Sequence, residues 1–123
     1  MFKVATNKGD IVCKTPQEVE NIIINSSKKP LDEIWVSGED EYPCLAVLVN
    51  GDLTSICYFL NENGDMWQSV GNAESNGSVE FLVGGELDER PEYTVVSLEA
   101  ALECVKQFCD TFYKPDCIEW EEL

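Results

Sequence analysis

Apolar residues in the middle of the chain come in short runs, and each run ends at turn-forming residues. Two of these runs, residues 45–49 and 53–60, are joined by Asn50-Gly51-Asp52. An Asn-Gly pair between apolar runs is the strongest short signal for a β-hairpin. A second turn at residues 61–64 leads into residues 65–70, and a polar loop at 72–77 precedes residues 78–83. The pattern predicts an antiparallel meander.

Further short segments have strand-like patterns at residues 2–6, 10–14, 33–37, 93–96 and 117–120. The most acidic connections are residues 38–41 and 84–91, which we predict to be loops. Trp35 and Trp120 each occupy a strand that alternates between two faces, so core positions are favoured for both. Trp67 stands beside a turn and is equally compatible with the core and with the surface.

Two helices are indicated by their start signals. Thr15-Pro16-Gln17-Glu18 is a capping box with proline at the first helical position, and the helix is predicted to run to about Asn25, before a breaker that ends at Pro30. Ser97 caps the second helix, whose apolar face recurs at helical spacing: Leu98, Ala101, Leu102, Val105, Phe108, Cys109 and Phe112. The predicted fold class is α+β, a single domain over residues 1–123 with an antiparallel meander and two helices packed on one face.

The charge balance is strongly acidic, with 24 Asp and Glu against 8 Lys and Arg and a net charge of −16. The charge is also uneven, because residues 1–31 carry five lysines and three acids whereas the remainder carries three basic and 21 acidic residues. Such a surface repels phosphate backbones and anionic lipids, so no nucleic acid and no membrane is expected as a partner. A basic protein is the favoured partner, although acidity also serves solubility alone.

Sites for catalysis, metals or cofactors are poorly supported. The chain has no histidine, no nucleophile elbow and no phosphate-binding glycine loop, and its many carboxylates offer no favoured acid–base pair. None of the six cysteines forms a C-x-x-C pair, so reduced structural thiols are expected and metal ligands are not. We therefore predict a protein that is not an enzyme and that has no cofactor. No apolar run is long enough for a membrane span and no signal peptide is visible, which favours a cytoplasmic location.

Several segments, taken in order, resemble a known family. The segments are residues 43–51 and 53–58, Gly71 at a strand end, Val96-Ser97 before a helix with Ala100, Ala101 and Phe108, then Lys114-Pro115 and Ile118-Glu119-Trp120. This order is similar to the immunity proteins numbered first in the catalogue of bacterial polymorphic toxin systems, which include inhibitors of deaminase toxins. One departure is that Phe112-Tyr113 stands where the family pattern leads us to expect a glycine.

The resemblance implies a small α+β domain that binds a cognate toxin C-terminal domain and blocks its active site or substrate groove. A toxin that acts on nucleic acid, such as a nuclease or a deaminase, needs a basic groove, which an acidic protein is able to occupy. We expect a monomer or a weak dimer. Loop position and charge select the candidate contacts Glu39, Asp40, Glu41, Asp65, Trp67, Glu86, Asp88 and Glu89. Two alternatives remain open at this stage: an acidic adaptor or nucleic-acid mimic without a toxin partner, and a small-molecule-binding or hydrolytic domain with a deep pocket.

Overall fold

The computed structural model describes residues 1–29 and 31–123 of the chain. Ten strands and two α-helices follow one another in these residues, with a short 3₁₀ turn at Glu92–Thr94. In chain order they are β1 (Phe2–Thr6), β2 (Gly9–Cys13), α1 (Pro16–Ser27), β3 (Asp32–Ser37), β4 (Cys44–Asn50), β5 (Leu53–Phe59), β6 (Met66–Val70), β7 (Ser78–Val83), β8 (Glu86–Pro91), β9 (Val95–Ser97), α2 (Leu98–Thr111) and β10 (Glu119–Glu122).

One large antiparallel sheet has the strand order β10-β6-β5-β4-β3-β1-β2. The predicted meander is its central part, where β3, β4, β5 and β6 are successive neighbours. β9 pairs with Leu53 to Ser55 of β5, whereas β6 pairs with Cys57 to Phe59 of the same strand. β4 pairs along one edge of β5. Strands β6 and β9 therefore both pair with the opposite edge of β5, one after the other along its length.

The two helices cover one face of this sheet, as predicted. Ile34 and Val36 of β3, Val47 of β4 and Ile56 of β5 point toward them and are fully buried. α1 and α2 also pack against each other. The hydrophobic side chains of both helices and this face form one cluster, which confirms the α+β prediction.

The start of α1 follows the capping signal in the sequence. The Glu18 backbone N–H donates to the Thr15 hydroxyl (3.2 Å), and the Glu18 carboxylate accepts from the Lys14 N–H (2.8 Å). The helix continues to Ser27, slightly beyond the predicted end. Ser26, in the added turn, is buried and donates its hydroxyl proton to Asp32 (2.7 Å). Pro30, the last residue of the predicted breaker, lies outside the described residues.

The end of α2 explains the departure at Phe112-Tyr113. Phe112 adopts the left-handed conformation (φ 60°) that glycine usually takes after a helix, and its N–H donates to the Phe108 carbonyl (2.7 Å). Its ring packs edge-on against Phe108, with centroids 5.3 Å apart, and lies 5.9 Å from Phe2. Gly38 leaves room for this ring, since a Cβ there would lie 2.9 Å from it. Aromatic packing therefore offsets the backbone strain.

The prediction of an acidic loop at residues 84–91 is wrong. Residues Glu86–Pro91 form β8, which pairs with β7 to make a second, two-stranded sheet. Gly84 and Gly85 both have positive φ angles (61° and 84°), as a two-residue hairpin turn requires. The four charged residues of β8 make this segment untypical of a strand, because charged residues are depleted in strands. The sequence pattern therefore indicated a loop. The largest differences at the ends of the other strands are in β9, which starts at Val95 after the 3₁₀ turn, and in β10, which covers Glu119–Glu122.

Candidate functional site

Four of the predicted acidic contacts lie together at one end of the large sheet. Glu39, Asp40 and Glu41 occupy the β3–β4 loop, and Asp65 ends the β5–β6 turn. Both connections lie at the same end because Cys44, the first residue of β4, pairs with Phe59, the last residue of β5. All four side chains are exposed. We call these four residues the acidic end.

Two hydrogen bonds hold residues of the acidic end in place. The Lys3 ammonium donates to the Glu39 carbonyl (3.1 Å), and Asn61 donates its side-chain amide to the Asp65 carboxylate (2.8 Å). The single salt bridge in the described part of the chain is Asp88–Arg90, with 3.6 Å between Oδ2 and Nε. None of the four carboxylates of the acidic end therefore forms a salt bridge within the described residues.

The other three predicted acids, Glu86, Asp88 and Glu89, lie on β8 of the small hairpin. This hairpin covers part of the second face of the large sheet, with Phe81 fully buried beneath it. Asn50 donates its side-chain amide to the Glu80 carbonyl (2.9 Å). Glu89 pairs with Glu80, so it lies near Asn50, at the opposite end of β4 from the acidic end. The structure thus separates the predicted acids into two groups.

The predicted contact Trp67 is half-buried and makes several contacts within the molecule. It lies on the helix side of β6, where it pairs across the strand with Tyr58 (ring centroids 5.9 Å apart). The Lys114 ammonium stands 4.9 Å from its ring centre. Trp120 is also half-buried against the core and donates its indole N–H to the Pro115 carbonyl (2.6 Å).

Trp35 was predicted in the core, and that prediction is wrong. Ile34 and Val36 point toward the helices, so Trp35 points to the second face of the sheet, which the hairpin covers only in part. Its side chain is 37% exposed and stacks on Phe59 with ring centroids 5.3 Å apart. Alternation along Ile34-Trp35-Val36 places Trp35 on the face opposite to its two neighbours. The sequence therefore predicts an outward-facing Trp35 once the aliphatic residues Ile34 and Val36 are assigned to the core.

A groove of about 640 Å³ opens on the second face beside Trp35. Its lining is largely apolar and includes three charged residues. The residues that line it include Lys3, Ala5, Asp10, Val12, Trp35 and Glu41. Glu41 thus belongs both to the acidic end and to the groove.

Residues 1–29 and 31–123 contain no group of three or more Cys, Asp or Glu side chains arranged to hold a metal ion. In the same residues, neither helix is long and apolar enough to cross a membrane. All six cysteines are free thiols, and the sulfur atoms of Cys104 and Cys117 lie 3.2 Å apart.

Burial controls the acidity of the cysteines. Burial, with a smaller contribution from the Glu41 carboxylate, raises the pKa of Cys44 to about 11. Burial, with smaller contributions from Glu20 and Cys13, raises the pKa of Cys109 to about 12. The pKa of Cys104 is raised first by burial and then by its hydrogen bond with Cys117. A raised pKa leaves little thiolate at neutral pH, and thiolate is the nucleophile in alkylation and oxidation.

We expect iodoacetamide at pH 8 to label the exposed Cys117 first in the folded protein. Cys44, Cys104 and Cys109 are buried and have raised pKa values, so their labelling is expected to be at least about 100-fold slower. The difference should shrink as the pH rises toward these pKa values. Peptide mapping of the labelled protein, against a guanidinium-unfolded control in which all six react, measures the effect. Equal rates for Cys44 and Cys117 in the folded protein would contradict it.

Comparison with known proteins identifies the family of this chain. The family model described as Immunity protein Imm1 matches residues 7–122. The chain is also similar to the double-stranded DNA deaminase immunity protein of Burkholderia cenocepacia (strain H111), with 29% identity over 113 residues. That alignment covers 86% of this chain and 89% of the relative. Because the family match spans nearly the whole chain, this protein belongs to the Imm1 family of immunity proteins.

Proposed function

We propose that this immunity protein neutralises a toxin domain that acts on DNA, by placing its acidic end in the basic groove that holds the toxin's substrate. The single observation that carries the proposal is the set of unpaired carboxylates at one end of the sheet: Glu39, Asp40, Glu41 and Asp65. The name of the relative, a double-stranded DNA deaminase immunity protein, supports a toxin of the deaminase type.

The charge of the chain supports this choice of partner. A protein that acts on DNA carries lysine and arginine side chains to neutralise phosphates. Carboxylates that project from an ordered loop present negative charge to the same side chains. The net charge of −16 also attracts a basic partner over a distance, which raises the association rate. Ionic screening limits this attraction to about 8 Å at physiological salt, so tight binding needs close contacts as well.

The proposal also covers the kind of partner, the location and the state of the protein. The partner is a cognate toxin C-terminal domain with a basic surface, and neither nucleic acid nor membrane is a ligand. The protein acts in the cytoplasm as a monomer or weak dimer, without a cofactor and without catalysis of its own. Glu86, Asp88 and Glu89 of the hairpin, together with Trp67, remain proposed contacts at the edges of the interface.

A binding and inhibition experiment tests the proposal. The toxin domain encoded by the neighbouring gene, inactivated by a substitution in its active site, is titrated with this protein at 50, 150 and 400 mM NaCl. We expect tight one-to-one binding that weakens at least about tenfold across this range, because charged contacts are screened by salt. The active toxin domain should lose its DNA-modifying activity at one equivalent of this protein.

Either of two results would contradict the proposal. Binding that does not change with salt would assign recognition to uncharged contacts and remove the role of the acidic end. An absence of binding at 50 mM NaCl would remove the toxin domain as the partner and favour an acidic adaptor.

A further inference from the structure

The hairpin leaves an apolar strip uncovered on the second face of the large sheet. The strand registers place one row of side chains across six strands, in the order Val12, Lys3, Ser37, Cys44, Phe59 and Met66. The next row begins with Asp10, Ala5 and Trp35. Trp35 thus stands beside the middle of the first row, and the groove described above lies over both rows.

Two members of this strip expose apolar surface. Trp35 is 37% exposed and Val12 is 62% exposed, on a sheet whose opposite face is buried by helices. The stacking of Trp35 on Phe59 holds the indole ring in place before any partner arrives. A side chain that is already ordered loses little conformational entropy on binding, and tryptophan is the residue type most enriched at the centres of protein interfaces. The strip therefore has the properties of a preorganised anchor.

The charged residues that line the groove determine what chemistry fits it. Glu41 and Asp10 contribute carboxylates to the lining, and Lys3 contributes the single positive charge. A guanidinium group stacks on an indole face and at the same time donates paired hydrogen bonds to a carboxylate. An aromatic ring with carboxylates beside it is thus suited to an arginine side chain with apolar neighbours.

We propose that Trp35 is the central anchor of the toxin interface, and that the occupant of the groove is an arginine-bearing segment of the toxin domain. The arginine stacks on the Trp35 indole and pairs with Glu41, while apolar atoms beside it cover Val12 and Ala5. This inference rests on the proposed function and adds to it the place of closest contact. A second copy of this chain is a poor occupant, because both copies would carry a charge of −16.

The test compares two exposed side chains that lie on different surfaces. Trp35→Ala removes the anchor, whereas Gln17→Ala truncates an exposed side chain on α1, on the helix side of the sheet and outside the groove. We expect Trp35→Ala to weaken binding of the inactivated toxin domain by at least about 30-fold, mainly through faster dissociation. Gln17→Ala should stay within about twofold of the unsubstituted protein. Circular dichroism and urea unfolding check that each variant is folded.

A second variant covers the case in which Trp35→Ala does not fold. Trp35→Phe keeps an aromatic ring against Phe59 and should preserve the sheet, but a phenyl ring attracts a cation less than an indole does. Its expected effect is a weakening of about fivefold. The same affinity for Trp35→Phe and the unsubstituted protein would overturn the role of the indole.

Three outcomes separate this inference from the proposed function. If the unsubstituted protein does not bind the toxin domain, the proposed function fails. If it binds and Trp35→Ala binds equally well, the function stands and the anchor is wrong. If Trp35→Ala instead converts a dimer into a monomer in sedimentation while toxin affinity is unchanged, the groove belongs to a second copy and the inference is overturned.

Discussion

Reversal of Glu39, Asp40 and Glu41 to lysine is expected to slow association with the toxin domain by about 10- to 100-fold at low ionic strength. The three carboxylates lie in one exposed loop without a salt-bridge partner in the described chain, so their field extends into solvent. Reversal replaces attraction of a basic surface by repulsion at the same positions. Stopped-flow association rates, measured from 25 to 300 mM NaCl, should show a much flatter dependence on salt for the variant.

The control for this experiment reverses three acids elsewhere. Glu103, Asp110 and Asp116 are exposed in and after α2, and their reversal to lysine changes the net charge by the same amount. If the acidic end directs the encounter, this control should retain most of the association rate. Equal slowing in the two variants would show that overall charge, and not the β3–β4 loop, steers association. Unchanged kinetics in the loop variant would remove these residues from the interface.

We expect Gly71→Ala to lower the free energy of unfolding by about 2 to 4 kcal/mol. A Cβ atom at position 71 would lie 1.9 Å from the carbonyl oxygen of Val95 and 3.0 Å from its carbonyl carbon. The Gly71 N–H also donates to the Tyr93 carbonyl (2.7 Å). Because β6 and β9 lie end to end along one edge of β5, an added methyl group must push one of them away from that edge.

Urea unfolding followed by circular dichroism measures this effect. Gly51→Ala is a matched control: it also adds one methyl group, at a residue with a φ of 60°, but the ideal Cβ meets no atom within 4 Å. Its cost should be the backbone strain alone, about 1 kcal/mol. A loss for Gly71→Ala no larger than that for Gly51→Ala would contradict the predicted clash with strand β9.

Local signals in the sequence were sufficient for much of the fold. The Asn50-Gly51-Asp52 turn, the Thr15 cap and the Ser97 cap depend on residues close in sequence, and the structure confirms each one. Ser97 accepts from the Ala100 N–H (3.2 Å), as an N-cap does. The apolar spacing of α2 likewise predicted its buried face. Short-range hydrogen bonding and periodicity are encoded locally, so they can be read without the tertiary structure.

The acidic character of the candidate site was also evident from the sequence, but its arrangement was not. Composition identified the charged segments, whereas only the pairing of β4 with β5 brings Asp65 to the same end as Glu41. The pairing of β7 with β8, together with the hydrogen bond from Asn50 to the Glu80 carbonyl, places Glu89 at the other end. Charge is a property of each residue, but the distance between two charges depends on strand register.

Three features were decided by the tertiary structure alone. β8 forms because its partner β7 anchors Phe81 in the core, which overrides the weak strand preference of four charged residues. Phe112 takes a glycine conformation because its ring fits between Phe2, Phe108 and Gly38. Trp35 remains exposed because the small hairpin covers only part of the second face. The sequence by itself determined the charge and most of the helices and strands, because these depend on each residue and on its near neighbours. Packing between distant segments decided which surfaces are left for a partner, because it depends on contacts that no local pattern contains.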